Sequence, residues 1–189
     1  MISRFVTMGE EHLLKIPYHK GEGSHSSNIG YIDLKQEPDR ISELHELQGY
    51  PEFEELIRRL IQPQCTLRPL RIDTAKDEFY HPQFSNSHYS FLTVSFDNPD
   101  PVDDARFFAE LHGSFQSYGS HLPDSVRIDF YLVPMAIPRH KFRGWCLDIR
   151  LYGYGTSETE ARGNWATGLE ILNDFLIEVD NNNRFSSVR

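Results

Sequence analysis

His88 and Ser90 stand two residues apart in a run, His88 to Phe96, that is rich in aromatic and β-branched residues and predicts a strand. Residues i and i+2 of a strand share a face, so an imidazole and a hydroxyl would stand side by side. That pairing suits proton transfer to and from an ester oxygen, and it makes His88 and Ser90 the candidate catalytic residues. His112-Gly113-Ser114 repeats the letters at the end of a predicted helix. Gly153-x-Gly155-Thr156-Ser157 precedes another helix and could offer backbone N–H groups to an anion. Glu158 and Glu160 in the first turn oppose that use, so the stretch reads as a turn into a capped helix. The chain has nine His, of which His12, His19 and His25 fall on a predicted loop and His81 and His88 flank a predicted hairpin turn. None has the i, i+4 or Cys-x-x-Cys spacing that aims ligands at one metal, so no metal and no cofactor is assigned. Arg71, Asp73, Arg127, Asp129, Asp148 and Arg150 should share the solvent side of a sheet, where opposite charges pair across strands as a ladder.

His88-Tyr89-Ser90-Phe91 resembles one half of the signature of the two-histidine phosphoesterases. That superfamily carries two His-x-Ser or His-x-Thr motifs on paired strands, one for each proton transfer on a phosphodiester. The resemblance implies a small hydrolase with His88 and Ser90 in its site. Gly144-Trp145-Cys146, where an internal repeat should supply the second motif, has no His. The stretch from Trp145 to Leu172 resembles the end of a double-stranded RNA-binding domain, with a strand, Gly153-Tyr154-Gly155, Ser157, and a helix carrying Ala161 and Ala166. That family grips phosphates with a Lys pair just after the Ser, and this chain has Glu158 and Thr159 there. A net charge of -9 over 189 residues also repels phosphate backbones, so nucleic acid is not an expected partner.

Hydrophobic residues at 39% and charged residues at 25% are those of a globular chain long enough for one sizeable core. Two cysteines, Cys65 and Cys146, make no disulfide framework and suit a reducing compartment. The first residues form no signal peptide and no run approaches a membrane span, so a cytoplasmic protein without membrane contact is expected.

The elements that must position these residues follow from periodicity. Residues 1–40 read as an N-terminal arm, partly loop, with Ile29–Leu34 as a short extended piece. Ile41, Leu44 and Leu47 fall at helical spacing, and Pro51 opens a helix with Phe53, Leu56, Ile57, Leu60 and Ile61 on one face. Strands around Leu70 and over His88–Phe96 lead to a helix capped by Asp100, with Pro101 in its first turn. Val126–Val133 and Trp145–Tyr152 alternate cleanly, and Ser157-x-x-Glu160 caps a final helix ended by Asp180-Asn181-Asn182-Asn183. Residues 181–189 read as a polar tail. A shift of 56 lays Arg71-Ile72-Asp73 on Arg127-Ile128-Asp129, Pro82 on Pro138, and Ala105-Arg106 on Ala161-Arg162. It also lays Tyr89, Phe91 and Thr93 on Trp145, Leu147 and Ile149.

The expectation is an α+β two-layer sandwich, a mainly antiparallel sheet with helices on one face, in a domain over 41–180 built from a tandem strand-strand-helix repeat (about 65–120 and 121–180). By topology this order is similar to the specialised chaperones of bacterial secretion and to some toxin-immunity proteins. The functional expectation is a non-enzymatic protein-binding or adaptor protein whose acidic surface favours a basic protein partner. The alternative is a phosphoesterase-like hydrolase with a histidine-containing pocket. A homodimer is expected, closing a sheet face that would show Ser90, Leu92, Val94 and Phe96 in the first unit and Tyr131, Val133, Cys146 and Tyr152 in the second.

Overall fold

The computed structural model describes residues 3–18, 30–76, 81–97, 103–120, 122–138 and 141–186. Its strands are β1 (Ser3–Thr7), β2 (Leu14–Lys15), β3 (Leu67–Lys76), β4 (Asn86–Phe96), β5 (Val126–Ile137) and β6 (Phe142–Gly155). Its α-helices are α1 (Pro51–Leu60), α2 (Ala105–Gly119) and α3 (Glu158–Ser186). The fold class is α+β. The sheet runs β1-β5-β6-β4-β3, with β2 also on β5, and it is mixed rather than mainly antiparallel. The β3–β4, β4–β6 and β5–β6 pairs are antiparallel, whereas β1 and β2 both lie parallel to β5. The parallel pairs come from the N-terminal segment, whose short polar runs carry no strand period.

β1 and β2 form one interrupted edge along β5, broken by a 3₁₀ turn at Glu10–His12. The Ile16 N–H then continues the pairing on the Ala136 carbonyl at 2.8 Å. Two residues on, the Tyr18 hydroxyl donates to the Leu70 carbonyl of β3 at 3.4 Å. β5 and β3 are three strand spacings apart, about 14 Å, which two extended residues and a tyrosine side chain span. Tyr31 returns its N–H to the Tyr18 carbonyl, and Asp33 pairs with Arg68 at 2.7 Å. The residues read as an arm therefore close the β5 edge and cross one end of the sheet, where Val133, Cys146 and Ser95 are buried.

Pairing fixes which side chains share a face. One row across the sheet is Phe5, Phe130, Ile149, Leu92 and Ile72, from β1 to β3. Phe130 packs against Phe115 of α2 and Phe175 of α3, so this face carries the core. Helix α1 adds Phe53, Leu56, Ile57 and Leu60, all buried, as its period requires. Trp165, Leu169 and Leu172 of α3 share that core with Leu147 and Ile149, and Trp145 packs partly buried against it.

Helix α3 lies close on β6 because glycines leave room. A Cβ on Gly153 would stand 2.2 Å from the Trp165 nitrogen, and one on Gly155 would stand 2.4 Å from the Ala161 nitrogen. Gly153-x-Gly155 is thus a helix-on-strand contact. The Glu160 N–H bonds Ser157 Oγ, and the Glu160 carboxylate takes the Thr156 N–H, which sets the start of the helix. Asp180 does not end α3. It is buried and accepts from the Thr66 N–H and hydroxyl, so the helix runs on to Ser186 through the stretch read as a tail. Helix α2 starts four residues later than expected, with Asp104 accepting the Arg106 N–H, and the Asp100-Pro101 start lies outside the described residues. The helix expected over Ile41–Leu47 is two 3₁₀ turns, Pro38–Glu43 and His45–Leu47.

The strand-strand-helix order occurs twice, but not in the gapless register. Ile72 pairs with Leu92, while Ile128 pairs with Leu151 rather than with Asp148. The second strands are out of phase by an odd number of residues. Tyr89, Phe91 and Thr93 consequently face away from the helices, whereas Leu147 and Ile149 face them. An odd slip turns every side chain to the other face. Ser90, Leu92, Val94 and Phe96 face the core, not the second face. Among the described residues, no helix is long and apolar enough to cross a membrane.

Candidate functional site

The second face of the sheet is built by alternation on four long strands. Its central row reads Arg4, Asp129, Arg150, Phe91, Asp73 from β1 to β3, and the next reads Val6, Tyr131, Asp148, Thr93, Arg71. A third row holds Arg127, Tyr152, Tyr89 and Ala75. Arg71 joins this array by alternation with Asp73 and Ala75, and a bulge between Pro69 and Arg71 breaks the register just beyond it. All six charged residues expected on one face are there.

They do not form a solvated ladder. Asp129 is 0% exposed and Asp148 3%. Each is paired along its own strand, Arg127 with Asp129, and Arg150 Nη2 with Asp148 Oδ2 at 3.3 Å. Thr93 Oγ1 donates to Asp148 Oδ1 at 3.1 Å and accepts from Arg71 Nε at 3.3 Å, which links β3 to β6. The guanidiniums lie over aromatic rings: Arg150 over Tyr131 at 4.2 Å, Arg127 over Tyr152 at 5.4 Å, Arg71 over Phe91 at 5.6 Å. Tyr152 is also near-parallel to Tyr154 and 5.1 Å from Tyr89. Burial, first of all, pushes the Tyr152 hydroxyl up to about 12 and raises those of Tyr89 and Tyr154.

The guanidiniums stay partly exposed. Arg127, Arg150 and Arg71 keep 27%, 34% and 32% of their side chains exposed, and Arg4 is exposed. Beneath them Asp129 Oδ1, Arg127 Nε and Arg150 Nε are buried without a hydrogen-bond partner among the described residues. Solvent therefore meets the guanidiniums and half-buried Tyr131 and Phe91, while Tyr89, Tyr152, Tyr154 and the compensating carboxylates are buried. Of the three acids on this face, Asp73 at the β3 rim is the exposed one. The chain's acidic excess lies elsewhere, on exposed Glu52 and Glu55 of α1 and Glu158, Glu160, Glu170, Asp174 and Glu178 of α3.

His88 and Ser90 point to the opposite, helix-bearing face and are both buried. Ser90 Oγ accepts the Trp165 indole N–H at 3.0 Å, so it is a structural acceptor under α3. His88 meets the Tyr50 ring edge-on at 6.2 Å and lines a cavity of about 340 Å³ with Lys76, Glu158 and Arg162. The residue paired with His88 on β6 is Gly153, which offers no second imidazole. His112 lies on α2 with its Nε2 3.0 Å from Ser3 Oγ, its ring stacked on Phe5 and edge-on to Phe130, far from His88 in the fold. Burial holds its pKa below the ordinary histidine value. His12 is exposed beside Glu11, His81 packs on Phe84 and Tyr154, and His19 and His25 lie outside the described residues. Among the described residues no group of three His, Cys, Asp or Glu is placed to hold a metal.

Sequence reasoning placed Tyr131 and Tyr152 on this face but missed Tyr89 and Phe91, because the repeat register assigned β4 the wrong phase. Leu92, Val94 and Phe96 alternating with Thr93 and Ser95 carried the right one. No family model, no curated protein and no solved structure matches this chain.

Proposed function

We propose that this chain is a non-enzymatic binding protein, an adaptor that seats a protein partner on the second face of its sheet. In this reading the molecule has two layers, helices on one side and the interaction surface on the other, and it works in the reducing cytoplasm that two buried free thiols suit. One observation carries the proposal: outward guanidiniums stacked on aromatic rings, over carboxylates that are buried. Tyr and Arg are the residue types that dominate binding energy at protein interfaces. A sheet face built only for stability would not keep two buried Nε groups and one carboxylate oxygen without partners among the described residues, each of which costs about 1–3 kcal/mol. The test is side-chain NMR of the Arg Nε–Hε groups during titration with candidate partners. Binding that shifts Arg71, Arg127 and Arg150 together supports the reading, and binding that leaves all three unmoved ends it.

The hydrolase alternative has the cavity beside His88 in its favour. It requires turnover of a generic phosphodiester that His88→Gln abolishes. Ser90, held by Trp165, contributes nothing to it.

A further inference from the structure

We infer that the partner is bound through its carboxylates: the second sheet face is a seat for an acidic, extended protein segment. This rests on the reading of that face as the interaction surface and adds the chemistry of its occupant.

Charge complementarity is the first argument. The chain has a net charge of -9, yet this face turns Arg4, Arg71, Arg127 and Arg150 outward and buries Asp129 and Asp148. The occupant must therefore bring negative charge. A guanidinium held over a ring, and in Arg127 and Arg150 also paired through Nη2 to a carboxylate on its own strand, is already oriented, and its exposed part offers charge-assisted donors to an incoming carboxylate. Arg4 and Arg150 share a row two strands apart, about 10 Å, between the roughly 7 Å and 13 Å that separate same-face residues two and four apart in an extended segment, so the flexible ends of glutamates on one face reach both.

Size is the second argument. Five strands and the four rows from Tyr154 to Tyr131 make a patch of roughly 400 Å². A standard interface between globular partners buries about 800 Å² on each side. The face suits a segment rather than a second copy, and a second copy set face to face would oppose guanidinium to guanidinium.

Nucleic acid is the other polyanion. Base stacking needs open aromatic faces. Here Arg150, Arg127 and Arg71 already lie over Tyr131, Tyr152 and Phe91.

The experiment uses the full chain and three fluorescein-labelled probes: a peptide of alternating Glu and Ser, the same peptide with Gln for Glu, and a single-stranded RNA of similar length. The Glu peptide is expected to bind and to shift the Nε–Hε signals of Arg71, Arg127 and Arg150. Its affinity should fall at least about tenfold between roughly 50 and 200 mM salt, because exposed charges are screened on that scale. Arg4→Glu, an exposed position whose change leaves the core intact, should weaken it at least about fivefold. Arg150→Lys should weaken it less than Arg150→Glu while both melt as folded proteins. Glu170→Lys on α3 should leave it within about twofold. If the Gln peptide binds this face as well as the Glu peptide, the acidic-segment inference falls and the interaction surface stands. If RNA binds at the same arginines more tightly than the Glu peptide, the occupant is nucleic acid and the inference is overturned. If the Glu peptide binds without moving the three arginines, both the inference and the assignment of the surface fall.

Discussion

Replacing Ser90 separates a structural hydroxyl from a catalytic one. Ser90 Oγ accepts the indole N–H of Trp165 at 3.0 Å, and both residues are buried, at 2% and 0% exposure. Ser90→Ala leaves that N–H in an apolar setting with no acceptor, which costs about 1–3 kcal/mol. For a chain of this length 1 kcal/mol moves the melting temperature by about 2–4 °C, so a drop of roughly 2–12 °C is expected. Trp165→Phe removes the donor together with part of the ring. On that background Ser90→Ala strands nothing, so the double variant should be less destabilised than the sum of the singles by about 1 kcal/mol or more. Urea unfolding of the four proteins, followed by far-UV circular dichroism, measures the coupling. Additivity within about 0.5 kcal/mol would refute the bond and reopen Ser90 as a free hydroxyl.

Trp165→Ala should cost on the order of 3–5 kcal/mol, since the ring fills the space between Tyr50, Phe53 and β6; an unchanged thermal melt contradicts that placement. Gly153→Ala should be among the most damaging single changes, because its Cβ would meet the α3 backbone at 2.2 Å, and soluble yield with a melt reads the effect. The His112 pKa is depressed by burial, so the unfolded chain binds the extra proton as pH falls below about 6.5. Stability should therefore decline with falling pH in that range, and His112→Gln should flatten the decline in a pH series of urea midpoints. Burial pushes the Cys146 thiol up to about 12 and raises that of Cys65, and both are buried, so a thiol reagent near pH 8 should label neither until the chain unfolds.

Helix α1, the start of β5, the central run of β6, and the first turn of α3 were legible in the sequence, because each rests on a local rule. Pro51 with an i, i+3, i+4 apolar face, strict alternation, and Ser157-x-x-Glu160 need nothing beyond their own segments. Alternation also placed Arg71, Asp73, Arg127, Asp129, Asp148 and Arg150 on one face. Partners were a different matter. Parallel pairing of β1 and β2 on β5 spans more than a hundred residues, and no period in a five-residue polar strand announces it. The phase of β4 depended on its register with β3 and β6, where one residue of slip exchanges the faces. That phase decided whether Tyr89, Phe91 and Thr93 entered the core or joined the arginines, and with it whether Ser90 was a surface hydroxyl or the acceptor for Trp165. Sequence determines which side chains alternate and where helices begin, since those are contacts within a few residues. The tertiary structure alone decided which strands meet, and therefore that the carboxylates of Asp129 and Asp148 lie buried beneath outward guanidiniums.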